Sequence, residues 1–198
     1  MPAVPARDAI TGLILAGGRG QRLGGVDKGL QPWRDLPLVD HALARLAPQV
    51  REVMISANRN AAEYARRATR VLGDASDDFP GPLAGILAGL RAAATPWLAV
   101  VPCDSPRLPV DLVERLARGV VDAHGAVVQR DHGAGGLRLE PVCCLLSTAL
   151  ADDLARYLAD GGRKVEGWVS RHAAPVLFER ADDASAFANV NTPADLEG

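Results

Sequence analysis

Hydrophobic positions in this chain fall into short continuous runs separated by segments of helical spacing. The first run, over residues 11–16 and centred on Leu13-Ile14-Leu15, predicts a buried strand. Leu38, Val39, Ala42, Leu43 and Leu46 then recur on one helical face, with Pro48 just beyond. Val53-Met54-Ile55 reads as a second strand entering the polar turn Ser56-Ala57-Asn58-Arg59, and a helix follows near residues 61–67. Val71-Leu72 is a third strand, ending in Gly73-Asp74. The turn formers of residues 77–82 lead to a helix opened by Pro82 and facing inward through Leu83, Ile86, Leu87 and Leu90. Residues 97–101 are apolar almost throughout, as in a strand covered on both faces, and empty into Pro102-Cys103-Asp104-Ser105-Pro106. Pro109 starts a helix with Val110, Val113 and Leu116 inward. The second half is less regular. Strands are expected at 126–129, 141–146 and 176–178, with helices at 150–158 and around 165–169. Thr192-Pro193-Ala194-Asp195 supplies a cap, a proline at the first helical position and an acid three residues after the cap, which predicts a terminal helix.

Strands alternating with helices predict an α/β fold: one three-layer domain, a mostly parallel sheet with helices on both faces. The domain is expected over residues 8–198, after a flexible lead-in of residues 1–7. In such sheets ligands bind beyond the carboxyl ends of the strands. That directs the functional search to the loop 17–28, to Ser56–Asn58, to Asp74 and to Asp104. The length, 198 residues, suits one domain with a sizeable core. A net charge of −2 without a basic stripe argues against general nucleic-acid binding. No apolar run approaches the roughly 20 residues of a membrane span, and the first residues lack the apolar core of a signal peptide. Cys103, Cys143 and Cys144 do not suggest a disulfide framework, so the cytoplasm is the expected location.

The most informative stretch is residues 11–30, TGLILAGGRGQRLGGVDKGL. A strand empties into a loop with five glycines between Gly17 and Gly25, two arginines, Arg19 and Arg22, and then Asp27-Lys28. Glycines let backbone N–H groups approach phosphate oxygens, and basic side chains add charge-assisted hydrogen bonds. The dinucleotide fingerprint is not met, because Leu23 stands where a third glycine is needed. Nor is the P-loop, because Lys28 is followed by Gly29 rather than Ser or Thr. Asp104, at the end of a buried strand, suits either an oxygen ligand for Mg²⁺ or a turn cap beside Pro106. Asp74, ending the third strand, reads on its own either as strand-end turn chemistry or as a site residue. Lys28 and Arg22 suit either contacts to phosphate oxygens or a solvated basic surface, the commoner fate of a lysine. Arg163 and Lys164 are a further basic pair after a Gly-Gly turn. His41, His124, His132 and His172 show no metal-ligand spacing, and Cys143 and Cys144 should point to opposite faces of a strand.

The segment LAGG-x-G-x-R-L-G-G-x-D-K resembles the signature loop of the nucleotidyltransferase group that includes the molybdenum cofactor guanylyltransferases. The match falls on Leu15, Ala16, Gly17, Gly18, Arg22, Gly24 and Lys28, with Leu23 in place of the usual Met. Gly18 resembles the guanine-using branch; relatives that use CTP tend to read L-A-A-G. The resemblance continues through Pro80-Gly81-Pro82-Leu83-Ala84-Gly85, through Cys103-Asp104-Ser105-Pro106 and through Asn189-Val190-Asn191-Thr192-Pro193, covering nearly the whole chain.

The resemblance implies a Rossmann-like nucleotide-binding half (8–108), an acceptor-binding half (109–198), and transfer of GMP from GTP to the terminal phosphate of molybdenum-molybdopterin. Proteins that make the cofactor and the molybdoenzymes that receive it are the implied partners, with no nucleic acid and no membrane. It makes Asp104 the ligand of Mg²⁺, with Mn²⁺ as the alternative. Lys28, Arg22 and Asp104 become catalytic, and Leu15, Ala16, Gly17, Gly18, Ser56, Asp74, Asn189 and Asn191 contact the nucleotide or acceptor. Two positions depart from the pattern: Ser56 replaces the Asn of N-A-N-R, and Glu140-Pro141 replaces a His-Pro found in some relatives.

Overall fold

A computed structural model of the chain describes residues 4–17, 26–73, 81–120 and 123–196. Nine strands and eight helices lie within these residues. They are β1 (Ile10–Leu15), β2 (Pro32–Trp33), β3 (Leu36–Pro37), α1 (Leu38–Leu46), β4 (Glu52–Ser56), α2 (Ala61–Ala65), β5 (Arg70–Leu72), α3 (Pro82–Ala92), β6 (Trp97–Pro102), α4 (Leu112–Gly119), β7 (Gly125–Asp131), β8 (Leu137–Ser147), α5 (Ala151–Ala159), α6 (Val165–Val169), β9 (Ala173–Phe178), α7 (Asp183–Ala186) and α8 (Pro193–Leu196).

Seven strands form one sheet in the order β5-β4-β1-β6-β8-β7-β9, while β2 and β3 form a separate hairpin. Every pairing in the large sheet is parallel except those of β8 with β6 and with β7, so only β8 runs against the rest. The first four strands take the spatial order third-second-first-fourth, and the chain reverses its direction of winding between β1 and β6. That reversal opens the crevice at the carboxyl ends of these two strands.

Alternation along the strands feeds two apolar layers. Ile10, Ile14, Val53, Ile55, Ala99 and Val101 face one layer, closed by α1 and α4. Leu13, Met54, Leu98 and Val100 face the other, closed by α3, α5 and α6, where Trp168 is wholly buried. Cys143 and Cys144 fall in opposite layers, as the strand period requires. The sheet is therefore covered on both faces, the three-layer arrangement expected.

Two local readings change. Val110 is 68% exposed, and α4 begins only at Leu112. The side-chain oxygen of Gln49 accepts the free N–H of Val113 at 2.8 Å, so the helix is capped from a distant segment and starts after the proline turn. The strand expected at 141–146 extends over Leu137–Ser147. Its register against β7 jumps between Val127↔Cys144 and Val128↔Glu140, leaving Pro141 in a bulge. Among the described residues, no helix is long and apolar enough to cross a membrane.

Candidate active site

Three segments far apart in sequence meet at the crevice between β1 and β6. The chain leaves β1 in line with the sheet: the Ala16 N–H donates to the Ser56 carbonyl at 2.9 Å, and the Cys103 N–H donates to that of Leu15 at 3.1 Å. It returns at Asp27 and enters a single 3-10 turn, Lys28–Leu30. Lys28 stands at the start of that turn. Its ammonium donates to Asp104 Oδ2 at 2.5 Å and to Asn191 Oδ1 at 2.7 Å. Side-chain exposure is 20% for Lys28 and 19% for Asp104, so the pair sits in a recess rather than in open solvent. The chain spells its 22 basic residues with only two lysines, Lys28 and Lys164. A compact ammonium with rotatable donors meets both oxygens at once.

The segment 189–191 docks onto the end of β6 along its backbone as well as through its side chains. Val190 N–H donates to the Asp104 carbonyl at 2.9 Å, and the Ser105 hydroxyl donates to Asn189 Oδ1 at 2.7 Å. Val190 itself is buried with Trp33 and Leu38. Asp195 secures the far side, accepting the N–H groups of Asn191 and Thr192 at 2.9 and 2.8 Å. Those N–H donors hold the Asp195 carboxyl below the usual carboxylate range. The cap signature in Thr192–Asp195 thus fixes Asn191 as well as starting α8.

Among the described residues, a single buried side-chain nitrogen or oxygen lacks a hydrogen-bond partner, and it belongs to Asp104. Its Oδ1 is buried and has no hydrogen-bond partner. A buried, unpaired carboxylate oxygen is costly, and one kept in a crevice is suited to a hard cation. Among the described residues, no group of three His, Cys, Asp or Glu side chains gathers to cage a metal. The donor set therefore fits a cation such as Mg²⁺ or Mn²⁺ that takes one carboxylate and completes its shell with substrate oxygens and water. The neighbouring Cys103 thiol is pushed up to about 12 by burial, with the charge of Asp104 adding to it, so it stays protonated and is no nucleophile.

The remaining residues singled out in the sequence fall in several places. Ala16 is buried and Gly17 exposed at the mouth of the crevice. Leu15 and Ser56 lie beneath the start of α3, where a Cβ on Gly85 would stand 2.5 Å from the Ser56 hydroxyl. Gly85 thus lets α3 close on the strand ends, and Ser56 is 2% exposed. Gly18, Arg22 and Asp74 lie outside the described residues. Arg163 donates to the carbonyls of Leu158 and Gly162 at 2.8 and 2.7 Å, at the carboxyl end of α5. Glu140 accepts from Arg130 Nε at 2.9 Å and from its Nη2 at 2.8 Å, beside the bulge.

Sequence reasoning passed over a second arrangement next to Lys28. Tyr64, wholly buried on α2, donates its hydroxyl to Asp27 Oδ1 at 2.5 Å, and Asn60 Nδ2 donates to Asp27 Oδ2 at 2.9 Å. A tyrosine at a helical apolar position reads as core; only the fold shows its hydroxyl reaching the loop.

Known proteins share this architecture. The family described as MobA-like NTP transferase domain matches residues 12–176. A molybdenum cofactor guanylyltransferase of Ralstonia nicotianae is 50% identical over 200 aligned positions, covering 98% of this chain and 96% of that protein. Among solved structures, the molybdopterin-guanine dinucleotide biosynthesis protein A of Archaeoglobus fulgidus superposes with a TM-score of 0.73 at 23% identity, covering 94% of this chain and 95% of the other. Rv0371c of Mycobacterium tuberculosis in complex with manganese superposes with a TM-score of 0.65 at 18% identity, covering 95% and 98%.

Proposed function

The chain belongs to the MobA-like NTP transferase family, and from that premise we propose that it transfers GMP from GTP to the terminal phosphate of molybdenum-molybdopterin. The products are the guanine dinucleotide cofactor and pyrophosphate. The observation that carries the proposal is the convergence of Lys28, Asp104 and Asn191 at the β1/β6 crevice, with one carboxylate oxygen of Asp104 left open.

In this reading residues 8–108 bind the nucleotide and 109–198 the acceptor. The glycine loop, with Leu15, Ala16, Gly17 and Gly18, cradles the triphosphate. Asp74 and the start of α3 hold the guanosine, and Gly18 favours guanine. Lys28 lies against Asp104 and turns to the β- and γ-phosphates as the leaving group gains charge; Arg22 assists. Asn189 and Asn191 orient the acceptor from the opposite side. The acceptor phosphate is already ionised and attacks the α-phosphorus in line, so positioning and charge stabilisation carry the rate and no general base is required. Asp104 would hold Mg²⁺ or Mn²⁺, which supplies positive charge to phosphate oxygens. The three free cysteines, all buried, fit a reducing cytoplasm, where cofactor-synthesis proteins deliver the acceptor and molybdoenzymes take the product.

Calorimetry with GTP, CTP and ATP in the presence of Mg²⁺ tests this reading on the wild type and on Asp104→Ala. The expected result is preference for GTP, with weaker or metal-independent binding in the variant. Preference for CTP would move the reaction to the cytidylyl branch or to another phosphorylated acceptor. Absence of any nucleotide binding would sink the proposal.

A further inference from the structure

Asp27 is bonded on every side. Tyr64 and Asn60 hold its two carboxylate oxygens at 2.5 and 2.9 Å. Its carbonyl accepts the Leu30 N–H at 3.2 Å and the Gln31 side-chain amide at 3.3 Å. The next residue is Lys28. The residue after that, Gly29, lies against the Tyr64 ring, where a Cβ would stand 2.5 Å from the hydroxyl oxygen. Asn60 takes a left-handed backbone, φ 53°, and its carbonyl accepts the N–H groups of Glu63 and Tyr64 at 2.9 and 3.2 Å. One residue thus starts the short helix that carries Tyr64 and also completes the grip on Asp27. Such a backbone in a non-glycine residue is strained and persists where the surroundings require it. Burial and the neighbouring Asp27 carboxylate push the Tyr64 phenol well above its ordinary range, so it remains an O–H donor at any working pH.

We propose that Tyr64, Asn60 and Asp27 form a clamp whose task is to position Lys28 for the leaving pyrophosphate. The three are positioning residues, acting through Lys28 alone; the proposal rests on the nucleotidyltransferase reading above. The physical reason is entropic. A lysine side chain has four rotatable bonds, and an ammonium that must meet developing charge within tenths of an ångström needs a fixed backbone origin. Gly24 and Gly25 stand just before Asp27 in the sequence, and glycine has the most backbone freedom to lose on ordering. Fixing the residue before Lys28 by its side chain, and the residue after it by contact with a buried ring, supplies that origin.

The test is a double-substitution cycle with a spectroscopic companion. Tyr64→Phe keeps the buried ring and removes only the hydroxyl; Asn60→Gly keeps the left-handed backbone and removes only the amide. Each is measured alone and combined with Lys28→Ala for turnover of GTP with the acceptor. The expected result is an about tenfold fall in kcat for each clamp variant, KM for GTP changing less than about threefold, and less than a roughly twofold further loss in the Lys28→Ala background. Because the chain has only two lysines, ¹⁵N-lysine labelling gives two ammonium signals, and Lys164→Arg assigns them. The Lys28 signal, protected by Asp104 and Asn191, is expected to shift toward that of a free lysine in both clamp variants. Equal losses with and without Lys28, or an unmoved Lys28 signal, would overturn the clamp. A wild type without GTP turnover would fail the functional reading instead, and the ammonium signal would still decide whether the clamp holds Lys28.

Discussion

Both halves of the sheet pair charges, and they use them differently. In the half built from β5, β4, β1 and β6, Lys28 and Asp104 pair across 76 residues and leave one buried carboxylate oxygen open. In the half built from β8, β7 and β9, the principal pair is closed. Arg115 meets Asp183 through two bonds of 2.9 Å, its guanidinium lies 3.6 Å from the centre of the Phe178 ring, and the Arg180 N–H adds a third bond to Asp183 at 3.0 Å. Both oxygens of that carboxylate are engaged by the protein itself. Ion pairing alone therefore does not mark a site; incompleteness in a crevice does.

That contrast is tested first by its largest effect. Lys28→Ala should lower kcat by about 10²- to 10³-fold, the cost of removing one fixed donor from a developing charge. Its unfolding free energy should fall less than that of an Arg115 variant, since Lys28 and Asp104 keep 20% and 19% side-chain exposure against 5% for Asp183, as read by urea denaturation. Arg115→Ala should do the reverse. Asp183 is 4% exposed, and leaving it unpaired should lower stability by about 3 kcal/mol with kcat/KM within roughly threefold of wild type. A variant of Arg115 that folds normally but loses turnover would erase the distinction between the halves.

The same pair has a pH signature. Burial would raise the Asp183 carboxyl, but the hydrogen bonds from Arg115 and from the Arg180 amide outweigh it and hold the group below its ordinary value. A lowered folded value means the pair stabilises the protein fully above the unfolded value of about 4 and loses that contribution as pH falls through the folded one. Asp183→Asn should therefore flatten the acid limb of the stability curve below about pH 4 and reduce stability at neutral pH.

The smallest effect sharpens the comparison from outside the sheet. The β2–β3 hairpin turns through Arg34 and Asp35, with φ of 48° and 70°, a conformation that favours an Asn-Gly pair. The double substitution Arg34→Asn with Asp35→Gly should raise stability by about 1 kcal/mol without changing turnover, as read by urea denaturation and a GTP assay. A change in kcat would tie this strained turn to the site.

Much of this molecule was legible in its sequence. The strands β1, β4, β5 and β6 announce themselves because each is short, apolar and followed by a loop of turn formers, and parallel strands buried on both faces must read that way. Lys28, Asp104 and the Asn189–Asn191 segment carry their chemistry in local motifs. Other features were not legible, for a common reason. The Gln49 cap of α4, the register jump at Pro141 and the hydroxyl of Tyr64 each depend on a partner tens of residues away or on a pairing register, and no local pattern encodes either. The first part of β8, before Pro141, escaped the sequence reading because the bulge interrupts the strand's alternation. Val110 was misplaced because proline usually opens a helix where it stands, and here a distant amide moved the start to Leu112.

The ties of Lys28 also bear on how the protein reaches its working state. Its two side-chain bonds close loops of 76 and 163 residues. Closing the longer loop costs chain entropy that the assembled sheet offsets. A chain with β1, β4 and β6 already paired but segment 189–191 still undocked would carry the lysine with half its anchorage. The anchorage of Lys28 is thus complete only once segment 189–191 has docked, and a chain in which it has not docked holds the lysine through Asp104 alone.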